Sequence, residues 1–292
     1  MVTFFDHLLG GIASGSVIAL MAIALVLVWR STRVVNFAQV GQAMFTTFLA
    51  LAVYRGTGNW LISLIAAILA GAILGLIVHF LVMRPVRRQD GSGAIIATFG
   101  VLIALQASAS MIWGVDPQAY PPIVDIIGFE AFGRTWPFSR YDVLVLGVTV
   151  LLVLLLSVVF TRTSLGLRMR ASAFNPTVAR LSGVRVSQML ALGWALAGSI
   201  GAIAGVLIAP TFSVTPYSFD ILLILAFTVA VIGGLDSLVG AVAFGIGTGL
   251  VLSLVSGYSD SGNASIVALV LLALNLLLKP EGVFAHHHSR SV

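Results

Sequence analysis

Long apolar runs alternate with short hydrophilic gaps along the whole chain. Nine runs can be marked: Gly11–Trp29, Ala38–Tyr54, Trp60–Met83, Gly93–Trp113, Asp142–Thr161, Gln188–Ala209, Asp220–Leu235, Ser237–Ser256 and Ala264–Leu278. A helix needs about 20 residues to cross the hydrocarbon of a bilayer. Ala38–Tyr54, Asp220–Leu235 and Ala264–Leu278 fall short, and each reads as a tilted, broken or re-entrant piece. The pattern predicts an all-α integral membrane protein, a polytopic bundle of eight or nine transmembrane helices, with nine preferred. It predicts one transmembrane domain over 1–292, with spans across about 11–280 and a polar tail at 281–292.

The gaps predict orientation, because Lys and Arg are retained on the cytoplasmic side. Arg30 and Arg33 place the first gap there, and Arg84, Arg87 and Arg88 against Asp90 place the third. The gap Gly114–Tyr141 carries Asp116, Asp125 and Glu130 against Arg134 and Arg140, and reads as external. Lys279 puts the C-terminus inside. Nine alternating spans satisfy all of these placements, with the N-terminus outside. Trp29, Trp60, Trp113 and Trp136 fall at or beside run ends, the headgroup level that tryptophan prefers. Trp194 is the exception. Gly11–Gly15 and Gly71–Gly75 have the small-xxx-small spacing of close helix pairs, and Gly245, Gly247 and Gly249 continue the theme.

Composition sharpens the class. Apolar residues make up 59% of the chain and charged residues 9%, where a soluble domain carries about 25% charged. The net charge of +5 sits mostly as arginine in the gaps, so membrane lipid is an expected partner and nucleic acid is not. There is no cysteine, which excludes disulfides and thiolate chemistry. Met1–Gly10 holds Asp6 and His7 and no Lys or Arg, unlike a cleaved signal peptide, so the first run is expected to remain as a span.

The longest cytoplasmic gap, Thr161–Gln188, is unusual. It holds Arg162, Arg168, Arg170, Arg180 and Arg185 and no acid. Asn175 is a good helix N-cap, Pro176 suits the first helical position, and Gly183 suits a left-handed stop. These predict a short helix over Pro176–Ser182, with Arg180 complementing its dipole. On these residues alone, a purely topological role is equally open.

Candidate chemistry is sparse. His79 is the clearest ionisable group inside a run, and Asp220 and Asp236 sit at run ends. A proton-driven carrier usually holds a relay of such groups in the membrane. A P-loop needs a lysine after a glycine-rich loop, and the only lysine, Lys279, precedes Pro280. No HExxH, GxSxG or paired-carboxylate pattern supports a membrane enzyme, and His286–His288 reads as a solvated tail. No cofactor or metal is expected on this chain. One polar cluster opens the short second run: Asn36, Phe37 and Gln39, with Gln42 a turn after Ala38. Amides at this depth either line a solute route or bond helices to each other.

Val35-Asn36-Phe37-Ala38-Gln39, the loop Arg162–Val186, and Gly233-Gly234-Leu235-Asp236-Ser237 with Gly240-Ala241 resemble the permease subunits of ABC importers for branched-chain amino acids. The resemblance covers Gly11 to Gly282. Its most specific part is T-x-x-G-x-x-x-R-A…N-P-x-x-A-R-L-x-G-V from Thr163 to Val184. Three positions depart from the family pattern. Val40 and Gly41 follow N-F-A-Q where many relatives have glycine and an acid, and Asp236 stands where glycine is common.

The resemblance implies a transporter subunit with no ATPase site of its own, carrying hydrophobic amino acids or a related small solute such as urea or a short amide. It implies two ATP-binding subunits that use ATP and magnesium, a second related permease and an external solute-binding protein. It makes 161–188 a coupling loop, with Arg168, Arg170, Asn175, Pro176, Ala179, Arg180 and Gly183 as candidate contacts, and Asn36, Phe37, Gln39 and Gln42 as candidate pathway residues. A self-sufficient carrier or channel is the other reading of the same spans. The topology is testable because the chain has no cysteine of its own. Ser172→Cys is expected to resist a membrane-impermeant thiol reagent in intact cells and Gln118→Cys to react; the reverse would invert the orientation.

Overall fold

A computed structural model describes residues 2–86, 91–131 and 133–258, with Ile266, Val267, Leu269, Val270 and Ala273 beyond them. Arg87, Arg88, Asp90, Lys279, the histidine tail and all but those five residues of the ninth run lie outside the described residues. The elements run α1 (Val2–Thr32), α2 (Gln39–Thr57), α3 (Trp60–Ile77), a π-helical segment Val78–Met83, a single turn α4 (Arg84–Val86), and α5 (Gly91–Trp113). A hairpin of β1 (Gly128–Ala131) and β2 (Arg134–Ser139) leads to α6 (Arg140–Arg162), α7 (Ser164–Phe174) and α8 (Pro176–Leu181). Then follow α9 (Val186–Ile208), a 3-10 turn Ala209–Thr211, α10 (Asp220–Gly233) and α11 (Leu238–Tyr258).

Six helices among the described residues are long and apolar enough to cross a membrane: Phe4–Thr32, Trp60–Val86, Gly93–Trp113, Arg140–Arg162, Val186–Thr211 and Leu238–Tyr258. They are not equivalent. Protein covers 78% of the apolar window of α1 and 72% of that of α9, against 22–33% for the other four. So α1 and α9 are the centre, and the rest surround them. The buried α2 is outside the six because it carries Gln39, Gln42, Thr46 and Thr47, all enclosed. Polar side chains are tolerated at membrane depth when protein rather than lipid surrounds them.

Glycine lets the central helices approach backbone to backbone. A side chain on Gly71 or Gly75 would strike the Gly198 or Trp194 carbonyl of α9. On the other flank, Gly11 and Gly15 of α1 face Gly245, Ile246, Gly249 and Leu250 of α11. Both GxxxG pairs therefore act as packing surfaces, while Gly247 faces open space.

Contacts separate the two ends of the bundle. At the basic end, Arg33 Nη1 lies 2.7 Å from Asp236 Oδ2, and the Arg30 guanidinium sits 4.6 Å over the Phe160 ring. Arg33 ends α1 in the left-handed region, with φ 59°. At the loop end, Gln118 and Val214 exchange backbone hydrogen bonds of 3.0 and 2.8 Å, and the Tyr120 hydroxyl meets Ser63 Oγ at 2.6 Å. Burial raises the Tyr120 phenol above its ordinary range. Both α2 and α10 run between these ends. α2 finishes with Tyr54 against Tyr120, and α10 runs from Asp220, held by Gln106 at 2.7 Å, to the turn that carries Asp236.

The hairpin was not foreseen from the sequence. Its strands are antiparallel and turn at Gly133, with φ 70°. Trp136 stacks on Phe129 there. Trp194 is enclosed in α9 with 1% exposure, which explains its place away from any run end. Ser172 is also fully enclosed, so its silence toward a thiol reagent would report packing. The exposed Ser182 is the informative position in that loop.

The seam gives a stability prediction. Gly198→Ala places a methyl group on the Gly71 carbonyl and should lower the melting temperature in detergent, by overpacking worth about 1–3 kcal/mol. Gly247→Ala, in open space, should melt like the unaltered protein.

Candidate functional site

Two groups of side chains carry the candidate function, and both are anchored at the basic end of the bundle. The first is the amide cluster that opens α2. Asn36 Oδ1 accepts from the Ala38 amide at 3.1 Å, and Asn36 Nδ2 donates to Gln39 Oε1 at 3.0 Å. Gln39 Nε2 then donates to the Ala197 carbonyl of α9 at 2.9 Å. That amide fills the place where a side chain on Gly201 would project, so the crossing requires glycine there. Both residues are fully enclosed. They are engaged with each other and with α9, a helix-to-helix joint. Phe37 stacks on Phe99 of α5, with ring centroids 4.6 Å apart, and lies 5.5 Å from Phe227 of α10.

Gln42 differs. Only 1% of it is exposed, yet neither its Oε1 nor its Nε2 has a hydrogen-bond partner. A buried amide without partners costs roughly 1–3 kcal/mol. Helical residues advance by about 100° each. Gln42 thus points between the direction of Gln39, toward α9, and that of Gly41, which faces Leu102 and Leu105 of α5. The structure brings all four sequence-predicted pathway residues to one region and divides their roles.

The second group is the loop 161–188. Thr163 caps α7, accepting from the Gly166 amide at 3.2 Å. Asn175 caps α8, its Oδ1 accepting from the Thr177 and Val178 amides, each at 3.1 Å. Pro176 takes the first position. The helix ends as a Schellman motif: the Gly183 amide donates to the Arg180 carbonyl at 3.0 Å and the Val184 amide to the Ala179 carbonyl at 2.9 Å. Gly183 has φ 79°. The predicted caps and stop are thus present, and the helix closes at Leu181, one residue before the expected Ser182. Ala179 is buried against Val186 and Leu190 of α9, so it seats the helix. Arg168, Arg170 and Arg180 are exposed.

Sequence reasoning by charge missed the apolar residues of this loop. Phe174, Val178 and Leu181 are 78%, 55% and 85% exposed. Val178 and Leu181 are three apart and share one face of α8. The available signal was that Phe174, Val178 and Leu181 are large apolar residues within and beside the capped helix of a basic gap.

At the loop end a cavity of about 690 Å³ lies between α1, α6, α10 and α11. Its walls are largely aliphatic, with Val17, Val145, Leu225 and Leu252 among them. Its Tyr141 hydroxyl already donates to the Leu207 carbonyl at 2.7 Å, and its Ser253 hydroxyl to the His7 carbonyl at 2.8 Å. None of Asn36, Phe37, Gln39 and Gln42 lines it.

Comparison with known proteins fits these features. The family described as the branched-chain amino acid transport system permease component matches residues 7–278. The high-affinity branched-chain amino acid transport system permease protein LivH of Escherichia coli K12 is 30% identical over 296 residues, covering 96% of this chain and 95% of that protein. LivH of Salmonella typhimurium is 29% identical over 294 residues, with the same coverage of both chains. BraD of Pseudomonas aeruginosa, a permease protein of the same kind of system, is 26% identical over 294 residues, again across 96% of this chain and 95% of its own. No solved structure gives a significant match. With residues 7–278 matched and LivH of Escherichia coli 30% identical along nearly its whole length, the chain belongs to the family of branched-chain amino acid transport system permease components.

Proposed function

We propose that this chain is the membrane-spanning permease subunit of an ABC importer that moves branched-chain or other hydrophobic amino acids across the cytoplasmic membrane. The family match over residues 7–278 carries the reading. Energy would come from two separate ATP-binding subunits that use ATP and magnesium, since the one lysine of this chain is not in a P-loop. A second related permease and an external solute-binding protein complete the proposed assembly. The basic end is cytoplasmic in this reading and the loop end external, with eight or nine crossings once α2, α10 and the ninth run are counted.

The loop 161–188 is the proposed seat of the ATP-binding subunit. Val178 and Leu181, exposed on a helix whose Ala179 is anchored below, offer an apolar contact on a basic surround. The solute would pass the amide region, where Gln42 offers donor and acceptor groups that nothing in the chain uses. Asn36 and Gln39 would hold α2 on α9 beside that route, and the aliphatic cavity at the loop end fits the side chain of such a solute.

The coupling role is tested by co-purification of the ATP-binding subunit and by solute-stimulated hydrolysis in proteoliposomes. Ala179→Pro disrupts a helix interior at about 3 kcal/mol or more and should abolish both. Leu181→Glu should weaken both while the permease still inserts. Arg180→Glu opposes the helix dipole by roughly 0.3–1 kcal/mol and should have the smaller effect. Normal association of Ala179→Pro would reduce the loop to a topological anchor.

The pathway role is tested by pairing melting with uptake. Gln39→Ala removes the α2–α9 bond and should melt lower. Gln42→Leu removes an unbonded amide and should melt as high or higher, yet slow uptake. Uptake unchanged in Gln42→Leu would exclude Gln42 from the route.

A further inference from the structure

A second cavity, of about 440 Å³, lies at the basic end beneath α8 and between the end of α3 and the start of α9. Arg84, Arg180, His79, Thr177 and Ser187 supply its polar lining. We propose that it holds the phosphate of an anionic phospholipid, and that this lipid ties α8 to the transmembrane body.

Four observations lead there. Two membrane-crossing helices, Trp60–Val86 and Val186–Thr211, have ends at the cavity, which sets it at headgroup depth. Among the described residues, Arg84 and Arg180 have no ion-pair partner, whereas Arg33 is paired with Asp236. Guanidinium groups bind phosphate oxygens in a bidentate fork, and hydroxyls such as those of Thr177 and Ser187 add further donors. Basic pockets between transmembrane helices are a recurring kind of anionic-lipid site.

The third observation is the π-helical segment Val78–Met83. In it the Arg84 amide bonds the His79 carbonyl, five residues back. Residues five apart diverge by about 140° around an α-helix. The wider π register brings them toward one face instead. His79 and Arg84 both line the cavity. From above, Pro176 and Arg180 sit four apart on α8 and line it together.

The fourth observation is apolar exposure next to the cavity. The same π segment exposes Phe80 and Leu81, at 44% and 72%. Neither lines the cavity, but their exposure puts this segment at the lipid-facing surface of the bundle, where a phospholipid reaches the basic lining. A phosphate bridging Arg84 and Arg180 would then link the last turn of the α3 span to α8.

The test uses the full chain purified in mild detergent, with lipid binding followed by native mass spectrometry. Phosphatidylglycerol, phosphatidylcholine and inorganic phosphate are the probes. Phosphatidylglycerol should bind, phosphatidylcholine should bind far less, and inorganic phosphate at equal concentration should not displace the lipid. Arg84→Gln or Arg180→Gln should each weaken phosphatidylglycerol binding about fivefold, and the pair roughly thirtyfold. Arg55→Gln, exposed at the other end of the bundle, should bind like the unaltered chain. The lipid should also raise the melting temperature of the unaltered chain and not that of the double variant. Unchanged binding by a folded double variant would overturn the site. Equal binding of phosphatidylcholine, or displacement by inorganic phosphate, would overturn the assignment to an anionic lipid.

Discussion

Close approach of backbones at glycine is the constraint on which this bundle depends. In lipid, apolar side chains gain little by leaving one apolar surroundings for another, so helix association rests on packing and hydrogen bonds. Gly71 and Gly75 let α3 meet α9 at Gly198 and Trp194, and Gly11 and Gly15 let α1 meet α11 at Gly245 and Gly249. These two seams flank the central pair α1 and α9, whose apolar windows are 78% and 72% enclosed. Bulk at either seam would push a surrounding helix off the centre.

Enclosure of the centre is also what permits polar residues there. Asn36 and Gln39 are fully buried, and each is bonded, one to the other and then across to the Ala197 carbonyl. Gln42, one turn further, is equally buried and unbonded. The same residue type thus does two things within four positions. One amide joins helices, and the next has both of its polar atoms buried without a hydrogen-bond partner.

At the basic end the geometry comes from local rules. Asn175 and Gly183 fix the ends of α8 through hydrogen bonds that span two to five residues, with Pro176 at its first position. Ala179 then settles on Val186 and Leu190. This leaves Val178 and Leu181 outward, and it leaves Arg180 with Arg84 around a polar cavity. The short helix is thus held against α9 on one side and exposed on another.

The sequence by itself determined the class, the main spans and the boundaries of α8. Hydropathy reports transfer out of water, and capping is written in adjacent residues, so both are legible without tertiary information. The order of helices from centre to rim was not legible, because an apolar segment has the same composition whether lipid or protein covers it. For the same reason the short, polar α2 read as a tilted, broken or re-entrant piece, and it is a continuous helix of 19 residues inside the bundle. Only tertiary structure separated Gln39 from Gln42, since the partner of Gln39 lies 158 residues away in α9. It alone showed the π segment that turns Arg84 toward His79, the hairpin before α6, and the burial of Ser172. Each of these depends on contacts or backbone registers set by distant neighbours, which no local pattern encodes.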